Sequence, residues 1–212
     1  MILDFLKSAA NERAALIPFY LFGKITEQLL GRLNATLLGW SSSYIGFGSR
    51  LRGTKAIEVG SGAYINRYAW IDAVHSFGNQ TFIPKITIGR NFSSADRLHI
   101  SAVNSITIGD NCLFGSGVYI SDHNHGAYKG DPQSSSYEPP IKRRLASYGA
   151  INIGSNVWLG DNVIVVGSIS IGAGSVVGAN SVITKNVPPN VMVAGAPFRI
   201  LKTFNEKSLC WE

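Results

Sequence analysis

The sequence predicts an all-β chain, a parallel β-helix with an N-terminal α-helical cap. Three features predict it: a six-residue repeat through the second half, many glycines with few charges, and a helix-like apolar pattern confined to residues 1–40.

The first 40 residues space Leu16, Phe19, Leu21, Phe22, Ile25, Leu29, Leu30 and Leu33 among Lys24, Glu27 and Arg32. That reads as one or two amphipathic helices. They would either cap the first coil, whose open end invites edge pairing, or dock on a membrane. The start, MILDFLKSAANER, carries acids and no cleavage pattern, so it does not read as a signal peptide. The apolar run from Ala14 to Gly23 is about half a membrane span and contains Pro18. The expectation is a cytoplasmic protein, with contact at the inner face of the membrane left open.

Residues 41–201 form the repeat body. Rows of six over 153–188 read IGSNVW, LGDNVI, VVGSIS, IGAGSV, VGANSV and ITKNVP. Each opens on Ile, Leu or Val, and the fifth residue is Val, Ile or Ser in every row. The period is too long for a helical turn and is no simple strand alternation. It suits a short strand and a tight turn, repeated, with three rows to a triangular coil. The aliphatic first residue points inward, the small fifth residue fills the narrow interior, and Gly and Asn take turn positions with positive φ. Stacked coils bury each row against its neighbours. The same phase runs through 59–76, 88–105 and 108–125, with interruptions at 77–87, 106–107 and 126–152. Beyond the body, residues 202–212 are a tail; from Phe198 on, the chain reads as a short strand and helix against the last coils.

Charged residues make up only 15% of the chain while Gly reaches 23 copies, which favours repeated tight turns over charged helices. The net charge of +6 suits a polyanionic small molecule or an anionic membrane. No basic run extends beyond Lys142-Arg143-Arg144 and none is interleaved with aromatics, which argues against nucleic acid. Two cysteines, Cys112 and Cys210, make no disulfide framework. Cys112 stands where other rows have Ala, Ser or Val, so it reads as a small buried residue.

Histidine titrates near neutral pH and is suited to general-base work. Of His75, His99, His123 and His125, the last two cluster in Asp122-His123-Asn124-His125, just before the longest interruption. A coil edge beside a long loop is where a substrate cleft would form. His75 reads as a surface turn residue. His123, His125 and His99 could also be read as a three-histidine zinc site of carbonic-anhydrase type.

The segment IGSNVWLGDNVIVVGSISIGAGSVVGANSVITKNVPPNVMVAGAPFRIL, 153–201, resembles the hexapeptide-repeat acetyltransferases, a family that includes galactoside, maltose and xenobiotic O-acetyltransferases. ISDHNHG, 120–126, looks like the active-site strand and turn of those acting in surface polysaccharide synthesis: lipopolysaccharide O-antigen, capsule or exopolysaccharide. The likeness covers about 88–201 and leaves the first 40 residues out. It implies a left-handed coil, against the usual right-handed crossover, and a homotrimer that transfers acetyl from acetyl-CoA to a sugar hydroxyl without a metal. N-acetyl transfer to an amino sugar is the nearest alternative.

In the family one histidine is the base. Counted from Ile88, His125 falls at the galactoside-type position without a gap, with His123 as the alternative; Asp122 would orient the imidazole. His99 lies on the coil below and would line the same cleft. Where galactoside-type enzymes have an acceptor-holding asparagine, this chain has Ala95, followed by Asp96 and Arg97, so their sugar specificity does not carry over. The long loop 126–150, with Tyr128, Tyr137, Tyr148 and Lys142-Arg143-Arg144, would read the acceptor, leaving His99, Asp96, Tyr128 and Arg144 as acceptor-binding candidates. In the family, CoA lies in a groove between neighbouring subunits. Gly160, Gly178 and Ala179 match places where its pantetheine arm passes the backbone. Trp158 matches the family tryptophan, Thr184 and Lys185 lie toward the adenine end, and Arg199 toward the phosphates.

Overall fold

The computed structural model describes residues 17–212; residues 1–16 of the predicted helical segment lie outside it. Three parallel sheets of short strands surround one apolar core, and the chain visits them in turn. The first sheet runs from Tyr44–Ile45 through Tyr64–Ile65, Ser93–Ser94, Leu113–Phe114, Trp158–Leu159 and Val176–Val177 to Val191–Gly195. The second stacks Arg50–Arg52, Trp70–Ala73, His99–Ala102, Tyr119–Ser121, Ile164–Val166 and Val182–Ile183. The third stacks Ile57–Val59, Lys85–Ile88, Ser105–Ile108, Ile151–Ile153 and Ser170–Ile171. Where nothing interrupts, equivalent positions such as Asn162 and Asn180 lie 18 residues apart, three rows of six.

Burial follows the row phase. First-position residues Ile153, Leu159, Val165, Ile171, Val177 and Ile183 are buried, and so are fifth-position Val157, Val163, Ile169, Ser175, Ser181 and Val187. Burying each aliphatic side chain stabilises the stack by about 1.5–3 kcal/mol. The fifth position is not always small: Phe92 occupies it and meets Phe114 edge-on, ring centroids 5.0 Å apart. Inward-facing Ser94, in register with Phe114, is the small residue that leaves room for the two rings. Cys112 is buried as expected, and burial pushes its thiol up.

Turn positions behave as the pattern predicts. Asn91, Asn111 and Asn156 take positive φ at one corner of successive coils, and their amides form a ladder with bonds of 3.1 and 3.3 Å. The two longer interruptions are excursions. Ser76–Phe77 and Gln80–Thr81 form a hairpin. Loop 126–150 returns as Leu145–Ser147, antiparallel to His123–His125. At 106–107 the structure differs from the sequence reading. Ile106 and Ile108 are both buried in a strand paired on both sides, so the extra residues form the bend at Val103-Asn104 instead.

An α-helix, Ile17–Leu37, lies against Tyr44–Ile45. It presents its small-residue face: Gly31 abuts the Tyr44 ring and Ala35 is fully buried. Glu27 pairs with both ends of the Arg67 guanidinium, which holds its carboxyl below the usual range, and Tyr44 Oη donates to it at 3.4 Å. Phe19, Phe22, Ile25, Leu29, Leu30, Leu33 and Leu37 all face outward and are more than half exposed. The cap therefore turns its apolar stripe away from the coil. Among the described residues no helix is long and apolar enough to cross a membrane.

At the other end Phe198–Asn205 runs antiparallel to Val191–Gly195, and Cys210–Trp211 folds back on it. The expected terminal helix does not form. The Asn205 side chain accepts the Lys207 and Ser208 N–H groups at 2.9 and 3.2 Å, and Leu209 takes positive φ, which closes a tight turn.

Coil stacking predicts which glycines tolerate a side chain. A Cβ on Gly109 would lie 2.5 Å from the Ser155 backbone nitrogen of the next coil, whereas nothing lies within 4 Å of one on Gly23 in the helix. Chemical denaturation is expected to show Gly109→Ala losing about 1–3 kcal/mol and Gly23→Ala gaining up to about 1 kcal/mol.

Candidate active site

The bend at Val103-Asn104 turns two backbone N–H groups toward the end of the second-sheet strand Tyr119–Ser121. The Asp122 carboxylate, with no exposed surface, takes both: Oδ1 from Val103 at 3.0 Å and Oδ2 from Asn104 at 2.8 Å. Oδ1 also lies 3.0 Å from His123 Nδ1. A neutral His123 donating there carries its proton on Nδ1, leaving Nε2 as the basic nitrogen. Ser121 Oγ donates to the His123 carbonyl at 3.0 Å. The His123 side chain is only 11% exposed.

His123 opens onto a cleft of about 490 Å3 on the outer face of the second sheet, lined also by Trp70, Asp72, His99, Tyr119 and His125. The His99 ring stacks on Trp70, centroids 4.5 Å apart, and meets Tyr119 edge-on at 4.9 Å. Burial holds the His99 imidazole below its ordinary range; nearby Asp72 opposes that shift and His123 adds to it. His125 is exposed, its ring edge-on to Phe77 at 5.1 Å. Its carbonyl accepts the Tyr128 hydroxyl at 2.7 Å, and Tyr128 in turn accepts Arg143 Nη1 at 2.9 Å. Gln80 clasps the two excursions together: Nε2 donates to the Leu145 carbonyl at 3.0 Å and Oε1 accepts the Leu145 N–H at 2.7 Å.

Asp122, His123, His125 and His99 thus come together, and the carboxylate addresses His123, not the His125 that sequence phase put first. Tyr128 braces the His125 backbone. Arg144 lines a separate cavity with Lys129 and Tyr148 and donates to the Pro132 carbonyl at 3.2 Å. Asp96 sits at the turn between the first and second sheets, where it accepts the Arg67 N–H at 3.2 Å; it does not line the cleft. Among the described residues no three His, Cys, Asp or Glu side chains are grouped to hold a metal ion.

Sequence reasoning missed Trp70, Asp72, Tyr119, Phe77 and Gln80. Row phase could have found two of them: Trp70 and Tyr119 occupy the sixth place of INRYAW and FGSGVY, as His99 does in SADRLH. Phe77 and Gln80 lie in an interruption, where no period reaches them.

The expected donor-side residues follow two corners. Trp158 is half exposed on the first sheet. A Cβ on Gly160 would lie 2.7 Å from the Ala179 nitrogen, and one on Gly178 would lie 2.9 Å from Ala194 Cβ. Stacking alone therefore calls for both glycines. Arg199 pairs with Ala194 beside them and is exposed. Thr184 and Lys185 are exposed at the next corner, two strands along the second sheet from Asp122-His123.

Two family models match the chain: the bacterial transferase hexapeptide (six repeats) at 150–185 and the hexapeptide repeat of succinyl-transferase at 103–122. WbbJ of Escherichia coli, whose name assigns it to lipopolysaccharide biosynthesis O-acetyl transfer, is 46% identical over 58% of this chain and 62% of its own length. The galactoside O-acetyltransferase of Escherichia coli is 34% identical over 68% of this chain and 66% of its own length. The chain thus spans a little under two thirds of both relatives. A solved galactoside acetyltransferase in complex with coenzyme A superposes with a TM-score of 0.55, at 30% identity, over 76% of this chain and 68% of that one.

The setting of His99 gives a pH prediction. Below the ordinary imidazole value of about 6.5, the folded chain binds fewer protons at His99 than the unfolded chain does. That contribution to stability is therefore present above this value and is lost as pH falls through it towards the lowered folded value. Histidine NMR is expected to show His99 titrating below the ordinary value, and His99→Gln should flatten that part of the acid-side loss of stability.

Proposed function

The chain belongs to the hexapeptide-repeat transferase family, and on that premise we propose that it moves an acetyl group from acetyl-CoA to a hydroxyl of a sugar in bacterial surface polysaccharide synthesis. The observation that carries the reading is the buried Asp122 carboxylate bonded to His123 Nδ1 at the cleft wall. His123 Nε2 takes the proton of the acceptor hydroxyl as that oxygen attacks the thioester carbonyl. The tetrahedral intermediate expels the CoA thiolate, which receives the proton back from His123. Asp122 keeps the imidazole in the tautomer that exposes Nε2 and stabilises the imidazolium between the two steps. His125 lines the same cleft and shapes the acceptor side.

The donor runs beside Trp158, Gly160, Gly178 and Ala179, with Thr184 and Lys185 toward the adenine and Arg199 toward the phosphates. Close backbone packing at the glycines and the exposure of Lys185 and Arg199 support this placement. These residues occupy two corners of one coil stack, which suits a groove completed by a neighbouring subunit in a homotrimer. The coil is read as left-handed, as in the family. The protein is read as cytoplasmic, with the outward stripe from Phe19 to Leu37 resting on the inner membrane face; seven exposed apolar side chains along one helix support that contact.

Calorimetry with acetyl-CoA, beside the mass in solution, tests the donor half: one site per subunit of a trimer is expected, and no binding at millimolar donor would sink the reading. On an accepted sugar, His123→Ala is expected to lower kcat by about 10²–10⁴-fold with acetyl-CoA binding retained. Asp122→Asn should follow it, and His125→Ala should fall short of both. A His125→Ala loss exceeding that of His123→Ala would reassign the base.

A further inference from the structure

The cleft holds a second carboxylate that the proton-transfer scheme does not use. Asp72 lies on the strand Trp70–Ala73, in register with Arg52, Ser101 and Ser121 on neighbouring coils. It is 9% exposed and lines the cleft. Its charged partner is Arg52, at a long 3.9 Å from Oδ2, and that arginine is mostly solvent-exposed. A carboxylate this buried, with one loose ion pair, keeps acceptor capacity turned to the cleft. Contrast Asp122, whose oxygens are taken by two backbone N–H groups and an imidazole.

Two residues before Asp72 on the same strand, the Trp70 ring stacks on His99 and stays 38% exposed. His99 feels both Asp72 and His123, and all three line the one cleft with Trp70. A flat aromatic face beside a charged acceptor fits a pyranose ring: its axial C–H face packs on the indole and its ring hydroxyls point to the rim. A carboxylate accepts from two adjacent hydroxyls at once, one to each oxygen.

Resting on the acetyl-transfer reading, we propose that Asp72 and Trp70 form the acceptor subsite: Asp72 holds a vicinal diol of the sugar, Trp70 carries the ring, and a neighbouring hydroxyl is thereby set against His123. Asp72 touches the acceptor but not the reacting atoms, so its loss falls on sugar KM and spares acetyl-CoA. Ser101, in the adjacent register position, lies within the same cleft wall. The basic cavity with Lys129 and Arg144 lies outside this subsite.

The test measures acetyl-CoA-dependent thiol release with methyl hexopyranosides and their monodeoxy analogues, in wild type and Asp72→Asn, with acetyl-CoA binding followed by calorimetry. In wild type, removing one hydroxyl of the held diol is expected to raise sugar KM about 10–100-fold, the cost of a lost hydrogen bond to a charged group. In Asp72→Asn the parent sugar should lose a similar factor and the gap to the deoxy analogue should collapse, with acetyl-CoA binding unchanged within about twofold. Trp70→Leu is expected to raise KM for parent and analogue alike, keeping the gap. Unchanged sugar KM in Asp72→Asn, or a persisting gap, overturns the subsite. A wild type that binds acetyl-CoA but releases thiol no faster with any glycoside also overturns it and leaves the donor reading standing. Failure to bind acetyl-CoA overturns both.

Discussion

The site is organised by one buried charge. A carboxylate with no exposed surface is strongly destabilising unless hydrogen bonds replace its lost water. Asp122 finds them in the N–H groups of Val103 and Asn104, on the preceding coil. Those groups are available because the chain bends there and departs from the six-residue phase. A regular coil commits its strand N–H groups to the sheet ladder; the bend turns two of them toward the next coil's edge. The His123 imidazole then completes the set, and its orientation is inherited from backbone geometry.

Coil and excursions together frame the cleft. The sheet registers fix Trp70, His99 and Tyr119 on one outward row, and stacked aliphatics leave that row little freedom. The hairpin at 76–81 and loop 126–150 enclose the row from the third-sheet side and are joined through the Gln80 amide. The cleft is thus walled by side chains fixed on the coil and closed by loops carried on a rigid frame. The N-terminal helix belongs to neither part. Polar and small contacts of Glu27, Gly31 and Ala35 hold it to the first two coils, and its apolar side chains face away.

Much of this was legible in the sequence because a solenoid is periodic. The row phase picked out the buried first and fifth positions, the asparagine turns and the buried Cys112, and the histidine cluster marked the cleft. Legibility stopped where the period stops. Counting from Ile88 put His125 first, whereas the imidazole that Asp122 meets is His123, and Asp122 is held by a bend whose position the rows misplaced by a few residues. Asp96 was singled out because it follows Ala95, at the place of the family's acceptor asparagine, yet its corner turns it toward Arg67 and out of the cleft. In the helix, spacing revealed an apolar stripe but not which way it faces. Two close contacts, Gly31 on Tyr44 and Glu27 with Arg67, decided that.

The most direct test of the account is a crystal structure of the chain bound to CoA. The thiol sulfur is expected in the cleft beside His123 Nε2, with the pantetheine arm along the corner of Gly160 and Gly178. A thiol placed against His125 with His123 turned away, or CoA bound on another face of the coil, would contradict it.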